Sequence, residues 1–572
     1  MGLASLSLLA FWLNINQLGL YADDWSFLQW SYASGWGLNY SYLSARPLHA
    51  LPWVITFPIF GFNLIPRYIF HFAILLANSF LLFRILDRIL PSKRAFNFIT
   101  SALFLTYPTM STFSWLSTGP LHIAVLLFFL SLLIFELNLS NQVRPARIKL
   151  LLSSLTGLLF FASLLFYELH LGLVFFVPLF GCLMMGSNET VRKKIQSALL
   201  WSAPYILGAA LYLGYRILFR FFIVLPGRVP EQTLEWNLQT LLEKILVMRG
   251  NVGSIWGHVV DSMFESNVSN NIHFSVFILA ALLCAFFAYC IWSALKLVPA
   301  TVGEQQPGSG GQEARKSSRF YLQLTVAGLM MMVFGYLTIL PSVYWPAWPN
   351  DFSSRVGYAA AIGASLAVAG AVNFVVASIS SFFRLRNTGL LFILPASLLV
   401  GLSVANSYLV QLQYVESWKI QRHFYSAVHN AVPDLADGTL AILVNVPDRY
   451  ETVEAVTFSH NAMRLLYNNP TIDATSLNTN DFEASELVIV ENGIIPHPWL
   501  DQPHPFNSIL ILVYSEDGKV RIAGSISEIS DLPLTHPEIV KVRSNKALIL
   551  KKTQPEEARQ CLIELKKDKC SV

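Results

Sequence analysis

Charge is scarce in this chain. Of its 572 residues only 13% are Asp, Glu, Lys or Arg, against roughly 25% in soluble domains. With 54% hydrophobic residues and a mean hydropathy of +0.51, that shortage excludes an ordinary soluble enzyme and points to a polytopic membrane protein. The net charge of +4 gives no reason to expect a nucleic-acid partner. Cysteine is scarce as well: the five present have no zinc or redox spacing. Cys182, Cys284 and Cys290 fall in apolar runs and read as packing residues, whereas Cys561 and Cys570 would pair only in an oxidising compartment. There is no internal repeat. The first residues lack a basic segment and a small-residue cleavage pattern, so 3–20 is expected to be a retained first span.

Long apolar runs, by contrast, abound, and 41 Phe and 14 Trp suit apolar spans with aromatic belts. Eleven spans are expected, near 3–20, 67–90, 95–110, 119–139, 149–166, 170–186, 196–219, 272–295, 320–341, 356–382 and 388–411. Residues 50–66 read as re-entrant or interfacial helices.

Basic residues give the orientation. With a cytoplasmic N-terminus, the inner loops hold Arg84, Arg88, Lys93, Arg94, Arg144, Arg147, Lys149, Arg192, Lys193, Lys194, Lys296, Arg315, Lys316, Arg319, Arg384 and Arg386. The opposite side has half as many before residue 412, and every short loop then obeys the positive-inside rule. Asp23 and Asp24, the turn at Tyr167 to His170, the loop 344–351 and the long loop 220–271 would all face outward. The flexible linker 307–312 would face inward.

After residue 411 charge becomes frequent. Short β-like runs at 440–446, 487–491, 509–514 and 547–550 alternate with turn residues. The expected architecture is an all-α polytopic membrane domain of about eleven helices over 1–411, followed by a soluble α/β domain over 412–572. An odd span count places that domain on the non-cytoplasmic side, at the plasma membrane.

Two adjacent carboxylates, Asp23 and Asp24, follow the first span among aromatic residues. Ionisable groups are costly near hydrocarbon, so such a pair marks a working site or caps an interfacial helix. Arg46 in Ser-Ala-Arg-Pro-Leu, followed by His49, is a snorkelling anchor or a fork for phosphate oxygens. Glu168 is a simple turn residue or a polar site between two apolar runs. Arg355, at the outer end of a span, runs against the inside bias. His122 reads as a helix-end histidine.

These residues also carry a resemblance. Tyr-Ala-Asp-Asp-Trp after span one, then Arg-Pro-Leu, then Ile-Phe-Gly-Phe-Asn63 leading to His71 and Asn78, resembles the GT-C superfamily of membrane glycosyltransferases. Within it, the order resembles the protein O-mannosyltransferase-like, family-39-type branch. Tyr107-Pro-Thr, Phe166-Tyr-Glu-Leu169 and Ser354-Arg-Val-Gly-Tyr358 resemble later segments of that branch. The likeness covers about residues 1–411; the tail does not resemble the repeat-bearing tails of relatives. It implies a polyprenyl-phosphate sugar donor, a hydroxyl acceptor on a protein, lipid or glycan, transfer at the outer face, and inversion at the anomeric carbon. By motif position Asp23 is the general base and Asp24 orients it or the acceptor. Arg46 and Arg355, with His49 as a weaker candidate, face the leaving phosphate, while Glu168 and Tyr358 help bind substrate. A divalent cation stays open as a cofactor, although no fuller ligand set is visible. The rival readings are a transporter or flippase of lipid-linked substrates, an O-antigen ligase or polymerase-like enzyme using the basic loop 220–271, and a membrane scaffold.

Overall fold

The computed structural model describes residues 2–37, 46–140, 145–178, 192, 196, 198–222, 237–265, 310–340, 352–383, 388–447, 459–477, 488–496, 503–525, 528–529 and 542–550, apart from positions 201 and 251. Among them, five helices are long and apolar enough to cross a membrane: Leu64–Ile89, Leu116–Leu139, Ala146–Phe166, Ser354–Phe383 and Leu391–Ala431. They match five of the expected spans. The first expected span is different in form. Helix α1 (Gly2–Ser7) passes into a π-helical turn at Leu8–Trp12, and the chain has left helical geometry by Leu18. Short α2 (Asp23–Ser34) follows.

Residues 50–66 fold as α3 (Leu51–Phe60) and the start of α4 (Leu64–Ile89). Ten residues rise only about 15 Å, half a bilayer core, so α3 cannot span. Gly61 ends it with φ +53, and Asn63 then caps α4 by accepting the Ile65 N–H at 3.2 Å. The expected span at 95–110 contains only α5 (Arg94–Leu105). Helices α6 (Gly119–Ser140), α7 (Ala146–Phe166), α8 (Ala203–Phe222), α9 (Leu238–Gly250) and α10 (Ile255–Glu265) follow. The last two lie within the expected long loop 220–271. The expected span 272–295, the latter part of 170–186, the loop 344–351 and all five cysteines fall outside the described residues.

Helices α11 (Gly310–Tyr336) and α12 (Tyr358–Phe383) form the tightest pair. Small residues permit it: Gly328 and Gly335 lie against Ala367 and Ala360, and Gly363 lies against the backbone of Gly328 and Met332. A Cβ at Gly363 would collide with that backbone, whereas one at Gly214 on α8 meets nothing within 4 Å. Gly363→Leu is therefore expected to cost about 3 kcal/mol by overpacking. Gly214→Leu should leave the thermal midpoint in detergent nearly unchanged. Equal midpoints for the two variants would remove this account of the contact.

Helix α13 (Thr388–Ala431) runs unbroken for 44 residues, through the position where the composition changes. The shift at 411 marks where a helix becomes more polar; the first strand begins only at Asp434. The tail's main sheet has the order β3-β2-β7-β8. Strands β2 (Leu440–Val444), β3 (Asp473–Leu477) and β7 (Ile509–Tyr514) are parallel, and β8 (Val520–Ala523) is an antiparallel edge. Helix α14 (Ser459–Leu466) lies in the chain between β2 and β3. Every residue of β2 is buried, and so are five of six in β7, which suits strands covered on both faces. A second sheet joins β4 (Val488–Val490), β5 (Gly493–Ile495) and β6 (His504–Pro505), while β1 (Asp434–Leu435) pairs with β9 (Ile549–Leu550).

The tail is seated on α2. Asn461 at the start of α14 donates to the Ser26 hydroxyl at 2.6 Å, and the Trp25 indole donates to Gln421 of α13 at 3.0 Å. Trp418 packs tilted against the same indole and Tyr425 meets it edge-on.

Candidate functional site

The two carboxylates at the start of α2 have separated roles. Asp24 is fully buried. Its Oδ1 accepts the Ser117 N–H at 2.6 Å, and its Oδ2 accepts those of Leu116 at 3.2 Å and Tyr21 at 3.1 Å. It thereby pins the loop 111–118 onto the N-terminus of α2. Burial pushes its carboxyl up to about 7, against the pull of the Ser117, Tyr21 and Leu116 donors. Both Asp24 oxygens thus accept backbone N–H groups, and the side chain presents no exposed surface.

The residue before the pair, Ala22, has φ +46 and ψ −122, a region that only glycine enters without strain. Neighbouring bonds hold it there: the Tyr21 hydroxyl donates to the Tyr414 carbonyl at 2.8 Å and accepts the Gly19 N–H at 3.0 Å. Ala22→Gly is expected to stabilise the protein by about 1 kcal/mol. A lower thermal midpoint than wild type would mean that the alanine methyl earns more in packing than the backbone loses in strain.

Asp23 points the other way. Its Oδ2 receives the Arg355 Nη1 at 2.8 Å, with the Asp23 side chain 29% exposed and that of Arg355 16%. The Arg355 guanidinium also lies 6.0 Å from the centre of the Trp115 ring. A second pair stands nearby: Arg46 grips Glu168 through Nε at 2.9 Å and Nη2 at 2.7 Å, and lies 3.9 Å over the Tyr167 ring. Burial pushes the Glu168 carboxyl up, but the Arg46 charge and its bonds, with Arg216 of α8, outweigh it and hold it at about 2. Glu168 is therefore a fixed anion rather than a solvated turn residue.

His49 connects the pairs. Its Nδ1 lies 3.4 Å from the Phe166 carbonyl, and its ring lies between those of Phe27 and Tyr167. Burial, then the Arg46 charge and more weakly that of Arg355, pushes it down to about 3. A neutral imidazole cannot serve as the cation expected of it.

Tyr358 is elsewhere. Its hydroxyl accepts from Asn78 at 3.1 Å, and its ring lies 4.6 Å from that of His122, which in turn lies 4.7 Å from that of His71. All four are buried. These contacts link α4, α6 and α12, and none of them involves a carboxylate. His122, in the first turn of α6, is the helix-end histidine expected and also a member of this cluster. Among the described residues no group of three or more His, Cys, Asp or Glu side chains is placed to hold a metal. The sequence reading overlooked Arg67, which sits one turn into α4; its only early signal was a basic residue at the outer end of an apolar run.

Among known proteins, no family model matches the chain, and no curated protein does. Two solved structures are similar to it, both of ArnT from Cupriavidus metallidurans. The apo form has a TM-score of 0.31 and 12% identity, over 83% of this chain and 84% of that one. The form bound to undecaprenyl phosphate has a TM-score of 0.31 and 13% identity, over 79% of this chain and 83% of that one. A TM-score that low does not assign a fold or a function.

Proposed function

We propose that this chain is an integral membrane glycosyltransferase, moving a sugar with inversion from a polyprenyl-phosphate donor to a hydroxyl acceptor on the outer face. The observation that carries the reading is the Asp23–Arg355 pair: a partly exposed carboxylate aimed away from its buried neighbour and joined to a cation at 2.8 Å. Its two side chains are partly exposed, in a chain that is otherwise short of charge.

The pair suits displacement at an anomeric carbon. The acceptor hydroxyl passes its proton to Asp23 as its oxygen bonds to carbon on the face opposite the phosphate. The carbon–oxygen bond to phosphate breaks, and its electrons leave on the phosphate. Protonation removes the negative charge that Arg355 had been neutralising, so that cation becomes available to the anion appearing on the leaving group. Base and electrophile are coupled: one proton transfer arms both. The rigid Arg46–Glu168 fork and neutral His49 hold hydroxyls of sugar or acceptor.

The test uses purified protein in detergent, a polyprenyl-phosphate sugar labelled in the sugar, and membrane extract as acceptor source. The expected result is release of polyprenyl phosphate and a labelled product of opposite anomeric configuration. Retained configuration, or movement of the intact donor across vesicles with no bond broken, would overturn the reading.

A further inference from the structure

Trp30 lies seven residues beyond Asp23 on α2. Seven residues come within about 20° of two whole turns. Both side chains therefore leave one face of the helix, about 10 Å apart along its axis. Both also reach the surface: Trp30 is only partly buried, and the Asp23 side chain is 29% exposed. Phe27 stands between them, one turn from each, and is 3% exposed. Its ring stacks on that of Trp53 at 5.6 Å and meets the Trp30 indole edge-on at 6.2 Å. Trp30 is thus propped on a buried aromatic floor.

Polar groups border this strip on both sides. On one side the Phe27 ring is followed by His49 at 5.4 Å, and His49 by Tyr167 at 5.6 Å. Over Tyr167 lies the Arg46–Glu168 fork, with side chains 27% and 24% exposed. On the other side Asn461 of the tail holds the Ser26 hydroxyl. An indole beside planar, fixed hydrogen-bonding groups suits a sugar chain. Ring C–H bonds, slightly positive, meet the negative aromatic face, and hydroxyls meet the fork. An acyl chain gains nothing from the fork. An extended peptide needs free backbone groups to pair with, and α2 keeps its own within the helix.

We propose that the acceptor is a saccharide chain of at least two units, and that Trp30 is its platform. The first unit presents a hydroxyl to Asp23, and the second stacks on the indole. The spacing carries this: one sugar ring cannot bridge about 10 Å along the helix, and two can. The assignment rests on the transferase reading, because only there does Asp23 mark where the attacking hydroxyl sits.

The test uses the full chain in detergent, a polyprenyl-phosphate sugar labelled in the sugar, and membrane extract as acceptor source. The product is digested with proteinase K and stripped of lipid by mild acid and base. The label is expected on an oligosaccharide, joined to another sugar. Label on a peptide, or on a lipid alcohol with no second sugar, would overturn the proposal. Kinetics over dilutions of the same extract then test Trp30. Trp30→Leu keeps an apolar contact for Phe27 and removes the ring. It is expected to raise the apparent KM for acceptor about tenfold, the loss of one good aromatic contact, with kcat and the donor KM nearly unchanged. Trp30→Phe should recover most of that loss. Trp36, 62% exposed just past the end of α2, controls for a general role of indoles at a membrane interface. Trp36→Ala should match wild type. A rise in donor KM instead, an equal loss in Trp36→Ala, or no recovery with phenylalanine would each overturn the proposal. Thermal midpoints check folding, and the position of the label needs no variant, so a misfolded Trp30→Leu still leaves a decisive result. A wild type that releases no sugar from the donor sinks the transferase reading and this inference with it. Product made with the label elsewhere, or indifferent to Trp30, sinks this inference alone.

Discussion

Asp23→Asn is expected to lower glycosyl transfer by about 10²- to 10⁴-fold, the usual worth of a positioned general base. The substitution is nearly isosteric, and its amide oxygen can still accept from Arg355. Folding and lipid binding should therefore survive. The loss should appear in kcat, because the missing proton acceptor acts as the new bond forms. Arg355→Gln should damage transfer as well, and the double variant should be little worse than Asp23→Asn, since the two groups work as one coupled unit. A rate for Asp23→Asn within a few-fold of wild type would dismiss this carboxylate as the base. Full additivity in the double variant would break the coupling while leaving each residue important.

The neighbouring substitution, Asp24→Ala, should act on folding. It strands the backbone N–H groups of Tyr21, Leu116 and Ser117 in a buried setting. Each unsatisfied group costs about 1–3 kcal/mol, so the total loss should be about 3 kcal/mol or more. Little folded protein is expected. Asp24→Asn gives the sharper readout through pH. Burial raises the folded-state pKa of Asp24 to about 7, while an unfolded carboxyl titrates near 4. The folded state then holds the proton more tightly. Stability from this group is complete below about pH 4 and falls as pH rises toward about 7, by an amount on the order of 4 kcal/mol at most. The asparagine variant cannot titrate, so the stability difference between the two proteins should narrow or reverse from pH 4 to 7. A difference that does not vary with pH over this range would show that the three donors keep Asp24 ionised throughout.

Much of the site was legible in the linear chain because scarcity singles residues out. In a sequence this poor in charge, Asp23, Arg46, Glu168 and Arg355 had few competitors, and pairing brings all four into two contacts. What the chain could not reveal was the division of labour. Asp23 and Asp24 are identical in type and adjacent in position, and only the loop returning from 111–118 decides which one is buried. His49 looked cationic until its aromatic and arginine neighbours were placed around it. Tyr358 sits three residues from Arg355 but on an inward-facing part of α12, so nearness in sequence misled. In the tail, β2 and β7 announced themselves as apolar runs. Strand β3, Asp473–Leu477, did not: its Asp-Ala-Thr-Ser-Leu owes its place to parallel pairing with β2 rather than to its own composition.

The length of α13 has a further consequence. Forty-four residues in one helix reach on the order of 65 Å, about twice the hydrocarbon thickness. The upper half is a rigid mast, and through Gln421 and Trp418 it grips Trp25, one residue from the acid pair. Tilting that mast would drag the reactive helix with it. One continuous helix thus joins the strand-bearing tail to the aromatic residue that follows the acid pair.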